Sequence, residues 1–528
     1  MAIFSRKRSD EQGEKTAAPV QDVSQGDQSS GEEGTVEEGA EDDLHRGMKA
    51  RQLNMMAIAG AIGTGKRRQT PQAHPEMRLT AANALRPGLV IGTGTSLKFG
   101  PGSLLIGYAF MGFVVYVVMV ALGEMGAWLP MKKSFSGYAS RFVDPAMGFA
   151  TGWNYFFKYV IALTLRQMIH VSFFGEAEFW MSLVKALVIL MLILLCFIIA
   201  LGGGPSHVRT GFYFWQNPGA FAPYTATVAG QTTVIGGDTG RFLGVWACMV
   251  QATFAYLGTE LVGVAFGETP NPRKNVPRAV NQTLLRIVFF YVAGVLVLGM
   301  AVPYNSPILL DATKKGTSGL ASPFVVAAQI AGVSKLDDAV NGLLLIFTIS
   351  AANSDIYLAS RTVWALAKDG QAPHLMQRTN KRGVPIPAVA LSSIFIALGF
   401  MNATKSAATV FGYFVSLVTV FGALNWVAVL VSYLAMINAM KAQGVPRSVM
   451  PYRNILLPWG AYIALPITML VIIFSGYSAF IPHFQVDKFL TAYIGIPVYV
   501  INIFWWKFFK KTKRVQPMDV DLVTGRRS

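Results

Sequence analysis

The chain has 528 residues, of which 53% are hydrophobic and only 14% are charged. Soluble globular domains carry about 25% charged residues, so this composition excludes an ordinary water-soluble globule. The two cysteines also exclude a disulfide scaffold and a cysteine-ligated metal site. The formal net charge is +17, but the basic residues lie between apolar segments and not on one face. This distribution argues against nucleic-acid binding and indicates a membrane protein.

Residues 1–45 differ in composition from the rest of the chain. The first 43 of them contain 12 acidic and 4 basic side chains and are rich in Ser, Gly and Gln. Such a segment cannot bury enough apolar surface to offset its ordering entropy, so we expect a disordered cytosolic N-terminal tail. Lys7 and Lys15 make the ubiquitination and trafficking machinery a candidate partner, although a passive solvated tail explains the composition equally well.

The remaining sequence contains eleven apolar segments that suit bilayer crossings. A helix needs about 20 apolar residues to span roughly 30 Å of hydrocarbon, and the lack of alternating strand patterns favours helices over a barrel. We therefore expect an all-α polytopic membrane protein embedded in a lipid bilayer. The expected spans are residues 53–65, 102–129, 146–165, 174–201, 242–267, 284–303, 338–360, 387–402, 406–438, 455–481 and 489–508.

The basic residues give an orientation and expose an inconsistency in the number of spans. Lys and Arg cluster after the second, fifth, seventh, ninth and last spans, as is typical of cytoplasmic loops. Neighbouring cytoplasmic loops require an even number of crossings between them. Only three spans lie between Arg141 and Arg273, so we expect one helix to be missing near residues 164–171. In the intact topology, both termini are cytosolic.

The first span is interrupted by a polar segment. Its apolar run stops at Gly65, residues 66–88 are polar, and apolar character resumes at Leu89. Without residues 66–88 the two halves join as AIAGAIGTGLVIGTGTSLKFG, a glycine-interrupted span of ordinary length. Residues 60–66 match most of a phosphate-binding loop, but that motif needs a preceding strand and a Ser or Thr where this chain has Arg67. We therefore do not expect nucleotide binding.

Several long motifs lie between about residues 46 and 514. They are MKARQLNMMAIAGAIGTG, LLIGYAFMGFVVYVVMVALGEMGAWLP, SFSGYASRFVDPAMGFATGWNY, FGEAEFW, AYLGTELVGVAFGETPNPRKNVPRAV and NSDIYLASRTVWALAKDGQAP. These motifs resemble the fungal amino acid permeases of the amino acid–polyamine–organocation superfamily, and the dicarboxylic amino acid group in particular. The resemblance is specific, because none of the motifs is a short pattern that would occur by chance.

The resemblance implies a LeuT-like fold of two inverted five-helix repeats plus two C-terminal helices. The family has twelve spans, and this chain shows about eleven of them, with helix 4 apparently missing. The permease domain would occupy residues 46–509, followed by a cytosolic C-terminal tail at 510–528. We interpret the deletion near 164–171 and the insertion at 66–88 as gene-model faults, an over-spliced exon and a retained intron respectively.

The resemblance also indicates where an amino acid would bind. In transporters of this type, helices broken near the membrane midplane expose backbone groups to the substrate. Glycines permit such a break, and residues 63–65 are the expected break in helix 1, although close helix packing also explains small residues there. The expected partner break in helix 6 is at Gly258. Family members carry an aromatic gate on this segment, for which Phe254 is the candidate.

Four ionisable residues within the spans are functional candidates, because charges are costly inside a bilayer. Lys158 lies near the midplane, and the NY-x-FKY pattern around it resembles acidic amino acid permeases, which implies a contact with a second substrate carboxylate. A structural ion pair with Glu124 or Glu260 is the alternative. Lys185 corresponds to a helix-5 lysine of proton-coupled relatives. Glu124 lies near the cytoplasmic end of its span, where an interfacial role is equally open.

These arguments define two sets of candidate residues. The expected substrate-binding residues are Gly63, Thr64, Gly65, Phe254, Gly258, Thr259 and Lys158. The expected proton-coupling residues are Lys185, Glu260 and Glu124.

The function that we predict is proton-coupled uptake of amino acids across the plasma membrane, with glutamate and aspartate as the leading substrates. We expect no enzymatic activity, cofactor, metal or nucleic-acid partner, because no cluster of metal ligands or nucleophile motif lies within the spans. A broad-range or neutral amino acid permease is the first alternative. A nutrient sensor that does not transport, and a mis-spliced product without function, are alternatives of a different class.

Overall fold

The computed structural model of the protein describes residues 92–131, 133–162, 171–205, 207–228, 231–260, 272–315, 322–332, 355–380, 383–395 and 407–526, with single positions 263, 266, 339 and 343. The predicted N-terminal tail, the first span with its insertion at 66–88 and the proposed deletion near 164–171 therefore lie outside the described residues or at their edge. So does most of the predicted span 338–360.

The described part of the chain is mainly helical. Its α-helices are α1 (Gly92–Leu97), α2 (Pro101–Trp128), α3 (Ser134–Phe142), α4 (Pro145–Ala162), α5 (Val171–Ala200), α6 (Gly237–Tyr256), α7 (Pro272–Ala301), α8 (Pro307–Lys315), α9 (Pro323–Ile330), α10 (residues 355–368), α11 (Ile386–Ile394), α12 (Ala407–Ala442), α13 (Trp459–Phe474), α14 (Val486–Tyr493) and α15 (Gly495–Lys510).

Several of these helices are long and apolar enough to cross a bilayer. Within the described residues they are α2, α7, Gly412–Ala442 of α12 and the segment Trp459–Phe480, and the pair α14 and α15 joins them if its 41° bend is counted as one span. The expectation of membrane-spanning helices is therefore confirmed here. α7 begins twelve residues before the predicted start at 284, because the polar stretch PRKNVPRAVNQT continues the apolar helix as a helical extension.

A two-stranded hairpin between α5 and α6 departs from the prediction that the structured part is purely helical. Strand β1 (Tyr224–Val228) pairs in antiparallel register with β2 (Gln231–Ile235). The strands are only five residues long and rich in Thr and Val, which favour extended structure, but so short a pattern was not recognised. The hairpin is anchored by aromatic contacts, since the Tyr224 ring stacks on Phe99 at 5.2 Å and lies 5.8 Å from that of Tyr477.

Helix α2 lies at the centre of the described core and packs against α6, α7, α12 and α13. Glycines allow the close approach, as small residues do in membrane proteins generally. A Cβ atom added at Gly107 would lie 2.7 Å from the Cβ of Cys248 on α6, and one at Gly112 would lie 2.8 Å from the Tyr256 hydroxyl. The backbone of α2 is therefore nearly in contact with α6, the helix that carries the candidate break.

The C-terminal segment, residues 512–526, folds back onto α3, α4 and the end of α12. The Val515 N–H donates to the Val143 carbonyl at 2.9 Å, and the Gln443 side-chain amide donates to three carbonyl groups of the segment. Val520 and Leu522 are buried, at 4% and 3% exposure. The segment predicted only as a cytosolic tail therefore packs on the helical domain.

Arg141 of α3 is the main polar anchor of this segment. Its guanidinium donates to the carbonyl oxygens of Asp521 and Thr524 at 2.7 and 2.8 Å and pairs with the Asp521 carboxylate at 3.0 Å. The N–H groups of Thr524 and Val523, followed by Arg141, lower the pKa of Asp521 to about 2 from its usual 3.8. A lowered carboxyl pKa stabilises the docked segment above about pH 4 and ceases to do so as the pH falls through about 2, so this stabilisation is fully present at neutral pH.

Substituting Arg141→Ala removes all three contacts and should release residues 512–526. We expect trypsin to cleave the purified protein after Lys513 and Arg514 several-fold faster, because proteolysis follows the population of the open segment. The time course of C-terminal cleavage measures this. Arg241→Ala, which removes a solvent-exposed pair with Asp238, is the matched control. Equal cleavage rates in the two variants would contradict the anchoring role of Arg141.

Candidate functional site

Helix α6 ends where the sequence suggested that a membrane helix is interrupted. Regular helix stops at Tyr256, and Gly258 has a φ of +96°, a conformation that side chains rarely adopt. The Leu257 N–H donates to the Phe254 carbonyl and the Thr259 N–H to the Tyr256 carbonyl, both at 3.2 Å. The chain thus leaves its helix at Gly258 while still buried in the protein, and the polar Thr259 and Glu260 follow immediately.

Lys158 and Glu260 form a buried ion pair beside this helix end. The Lys158 side chain on α4 is 0% exposed and the Glu260 side chain is 1% exposed, and the Lys158 ammonium donates to Oε1 of Glu260. The other carboxylate oxygen accepts from the Gly258 N–H at 2.9 Å and from the Trp426 indole N–H of α12 at 3.4 Å. Of the two ion pairs considered for Lys158, the structure therefore has the one with Glu260.

Aromatic rings surround the ammonium end of this pair. The Lys158 Nζ atom lies 5.4 Å from the ring centroid of Tyr155 and 5.0 Å from that of Tyr159, within the range of cation–π attraction. Burial makes an unpaired charge very costly. The charged form of Lys158 therefore needs an anionic partner in this environment. A carboxylate that replaces Glu260 would meet the same donor.

The other candidate residues lie as follows. Phe254 is half-buried near the end of α6, and the Thr259 hydroxyl donates to the Tyr256 carbonyl at 2.9 Å, which satisfies one carbonyl of the helix end. Lys185 on α5 is buried at 2% exposure. Gly63, Thr64 and Gly65 lie outside the described residues.

Glu124 belongs to a separate cluster at the end of α2. Its carboxylate pairs with Arg447 and accepts from the Tyr433 hydroxyl and the Asn454 N–H, both at 2.8 Å. The glutamate is 0% exposed and Arg447 is 26% exposed. Arg447 donates through both Nε and Nη2, so four donor atoms bind the carboxylate. They tie α2 to α12 and the segment after it, which favours the interfacial alternative for Glu124. The sequence offered no signal for this pairing beyond the location of Arg447 in a basic loop.

Two asparagines and a tryptophan of the site were missed by the sequence analysis. The Asn154 side-chain N–H of α4 donates to the Phe421 carbonyl of α12 at 2.7 Å. Asn425 and Trp426 follow one turn later on α12, and Asn425 is buried at 1% exposure. A signal was present, since an amide is unusual in the apolar run 406–438. In the described ranges, no group of three His, Cys, Asp or Glu side chains is placed to hold a metal ion.

Breaking the pair one side at a time should be more harmful than removing it. Lys158→Met leaves a buried carboxylate without its cation, and Glu260→Gln leaves a buried cation, each costing about 3–5 kcal/mol. The double variant removes both charges and should be more stable than the sum of the single effects predicts. Apparent Tm in detergent measures all three, with the exposed Lys441→Met as control. Strictly additive losses would contradict a direct pair.

Comparison with known proteins identifies the chain's relatives. The amino acid permease family profile matches residues 80–166 and 159–517. The chain is 45% identical to an amino-acid permease of Schizosaccharomyces pombe whose own function is uncharacterized, over 90% of this chain and 92% of that protein. It is 40% identical to the dicarboxylic amino acid permease of Saccharomyces cerevisiae, over 91% and 80% of the two chains.

A third relative shows that substrates differ among these proteins. The proline-specific permease of Emericella nidulans is 34% identical to this chain, over 94% of this chain and 90% of the relative. Relatives that align over most of this chain are thus named for different substrates, dicarboxylic amino acids in one case and proline in the other, but all of them are amino acid permeases. The chain belongs to the amino acid permease family and is a multi-pass membrane transporter of amino acids, not an enzyme.

Proposed function

We propose that the protein imports acidic amino acids, glutamate and aspartate, across the plasma membrane together with protons. The observation that carries this proposal is the buried Lys158–Glu260 pair beside the helix end at Gly258. A glutamate or aspartate substrate has a side-chain carboxylate that can take the place of Glu260 on the Lys158 ammonium. The 40% identity with the dicarboxylic amino acid permease of Saccharomyces cerevisiae supports the same substrate class.

The pair also suggests how a proton and an acidic substrate would be coupled. Two carboxylates cannot share one buried ammonium without strong repulsion, and an unpaired buried lysine is equally unfavourable. A substrate carboxylate can therefore bind Lys158 well only when Glu260 is protonated. In the empty site Glu260 keeps the charge balance; in the loaded site the substrate does so and Glu260 carries the proton. Proton and substrate then cross together.

The remaining candidates have roles that complete this site. Gly63, Thr64 and Gly65 would offer backbone N–H groups of a broken helix 1 to the α-carboxylate of the amino acid. The irregular backbone at Gly258 and Thr259 would lie opposite, with Phe254 as the lid. Lys185, buried on α5, is the second proton carrier. Glu124 has its own complete set of partners, and we assign it to holding the helix ends together.

The architecture that we propose for the whole chain is the LeuT-like 5+5 repeat with two additional helices and both termini cytosolic. The fourth membrane span of the family, which is not the α4 described above, is absent. The parity of the basic clusters supports a deletion near residues 164–171, and the two family-profile matches meet at residues 159–166. Sequencing the transcript tests this. A transcript that encodes helix 4 and lacks codons 66–88 is the expected result, whereas one that matches the present chain would refute both gene-model faults.

Uptake of labelled glutamate in permease-deficient yeast tests the proposed function. We expect faster uptake at pH 5 than at pH 7 and competition by aspartate. Lys158→Ser should reduce glutamate uptake at least tenfold, because the carboxylate loses a charged donor, and should spare any neutral substrate. Glu260→Gln mimics the protonated state and should flatten the pH dependence. Lys441→Ser and Asp238→Asn, both at exposed positions, are the matched controls.

The alternatives correspond to different results of the same measurement. Uptake of proline or other neutral amino acids without glutamate indicates a neutral or broad-range permease and a purely structural pair. A protein that reaches the cell surface and moves no amino acid indicates a sensor. If only the chain with helix 4 restored and residues 66–88 removed transports, the present chain is a non-functional product.

A further inference from the structure

Asn425 is a buried amide whose hydrogen-bonding groups are unused. It is 1% exposed, and within the described part of the chain neither its side-chain nitrogen nor its side-chain oxygen has a hydrogen-bond partner. An asparagine side chain offers two N–H donors and a carbonyl acceptor. Nearly all buried polar groups in proteins are paired, and leaving one unpaired is costly. The cost of burying the Asn425 amide without a hydrogen bond is therefore best explained by a partner molecule that binds beside it.

The helical geometry of α12 shows which way Asn425 faces. Residues three and four apart lie on the same side of a helix. Asn425 follows Phe421 by four residues, and the Phe421 carbonyl binds Asn154 of α4. It follows Gly422 by three residues, and Gly422 packs against the Leu257 side chain at the end of α6. Asn425 thus lies on the side of α12 that packs against α4 and the end of α6.

The Lys158–Glu260 pair lies in the same region. Trp426, the next residue along α12, donates its indole N–H to Glu260 at 3.4 Å, so Asn425 lies at the level of that carboxylate. On the facing helix, Asn154 is one turn before Lys158, and the side-chain oxygen of Asn154 is also buried without a hydrogen-bond partner among the described residues. Unused polar atoms therefore border the ion pair from both α4 and α12.

We infer that Asn425 is a substrate-binding residue of the transporter. Its amide N–H groups donate to a carboxylate oxygen of the bound amino acid, and its oxygen accepts from the substrate ammonium or from the proton on Glu260. A free amino acid supplies both an anion and a cation within a few ångströms, which matches an amide that needs an acceptor and a donor. The inference rests on the transport site proposed above, but not on the acidic character of the substrate.

Thermal stability of the purified full chain in detergent tests this inference with a readout that does not require transport. Apparent Tm is measured without additive and over a concentration series of glutamate, aspartate, proline and lysine. A compound that binds only the folded protein stabilises it by RT ln(1 + [L]/Kd), so Tm keeps rising with the logarithm of the ligand concentration above Kd. Asn425→Leu removes the amide and keeps a branched side chain of similar shape; Asn425→Ala controls for overpacking. Asn438→Leu, at an exposed position of the same helix, is the matched control.

The expected result separates a binding role from a structural one. Because neither polar atom of the Asn425 side chain has a hydrogen-bond partner among the described residues, Asn425→Leu should leave the Tm without amino acid unchanged or raised. The amino acid concentration that gives a fixed rise in Tm, and with it the apparent Kd, should rise roughly tenfold to a hundredfold, as expected for the loss of a hydrogen bond to a charged group. Asn438→Leu should change neither quantity.

Three results would overturn the inference. A lower Tm without amino acid, combined with an unchanged apparent Kd from the Tm series, means that Asn425 holds the protein together, with a buried water as its partner. An unchanged response of Asn425→Leu and Asn425→Ala to every amino acid removes Asn425 from the site. No stabilisation of the wild-type chain by any amino acid removes the site itself.

The acidic substrate proposal fails independently of these results. If proline or lysine raises the wild-type Tm and glutamate does not, the substrate class is wrong while the role of Asn425 is then decided by the proline or lysine series.

Discussion

The described structure depends most on the requirement that a charge buried in a low-dielectric interior has a counter-charge. Lys158 and Glu260 meet this requirement for each other, at 0% and 1% exposure. Their contact joins α4 to the end of α6, and the Trp426 indole adds α12 to the same carboxylate. Three elements that are distant in sequence are thereby held around one pair, and any state in which one charge moves must supply a substitute for it.

The end of α6 gives that pair its functional meaning. A continuous helix would direct all its backbone groups along its own axis, whereas the positive φ at Gly258 turns the chain so that its N–H reaches the Glu260 carboxylate. The close approach of α2 to α6 at Gly107 and Gly112 fixes the helix up to Tyr256. The end of α6 is thus a rigid helix body followed by an irregular segment, in which the Gly258 N–H is bound to the Glu260 carboxylate.

The polar clusters at the ends of the helices have a different task. Glu124 with Arg447, and Arg141 with the C-terminal segment, join elements that are distant in sequence through several hydrogen bonds each. These clusters stabilise one arrangement of the helices. The Asn425 amide differs from them, because neither of its side-chain polar atoms has a hydrogen-bond partner among the described residues.

The sequence by itself determined that the chain is a helical membrane protein of the amino acid permease family, because hydrophobic length and long family motifs are properties of contiguous residues. It also indicated the interruption at Gly258 and the cost of charges at 158, 185 and 260. Only the tertiary structure decided that Lys158 pairs with Glu260 and Glu124 with Arg447, that the Trp426 indole reaches Glu260, and that residues 224–228 and 231–235 pair as two strands. Those facts depend on side chains more than a hundred residues apart, or on weak five-residue strands, and neither leaves a periodic signal in the sequence.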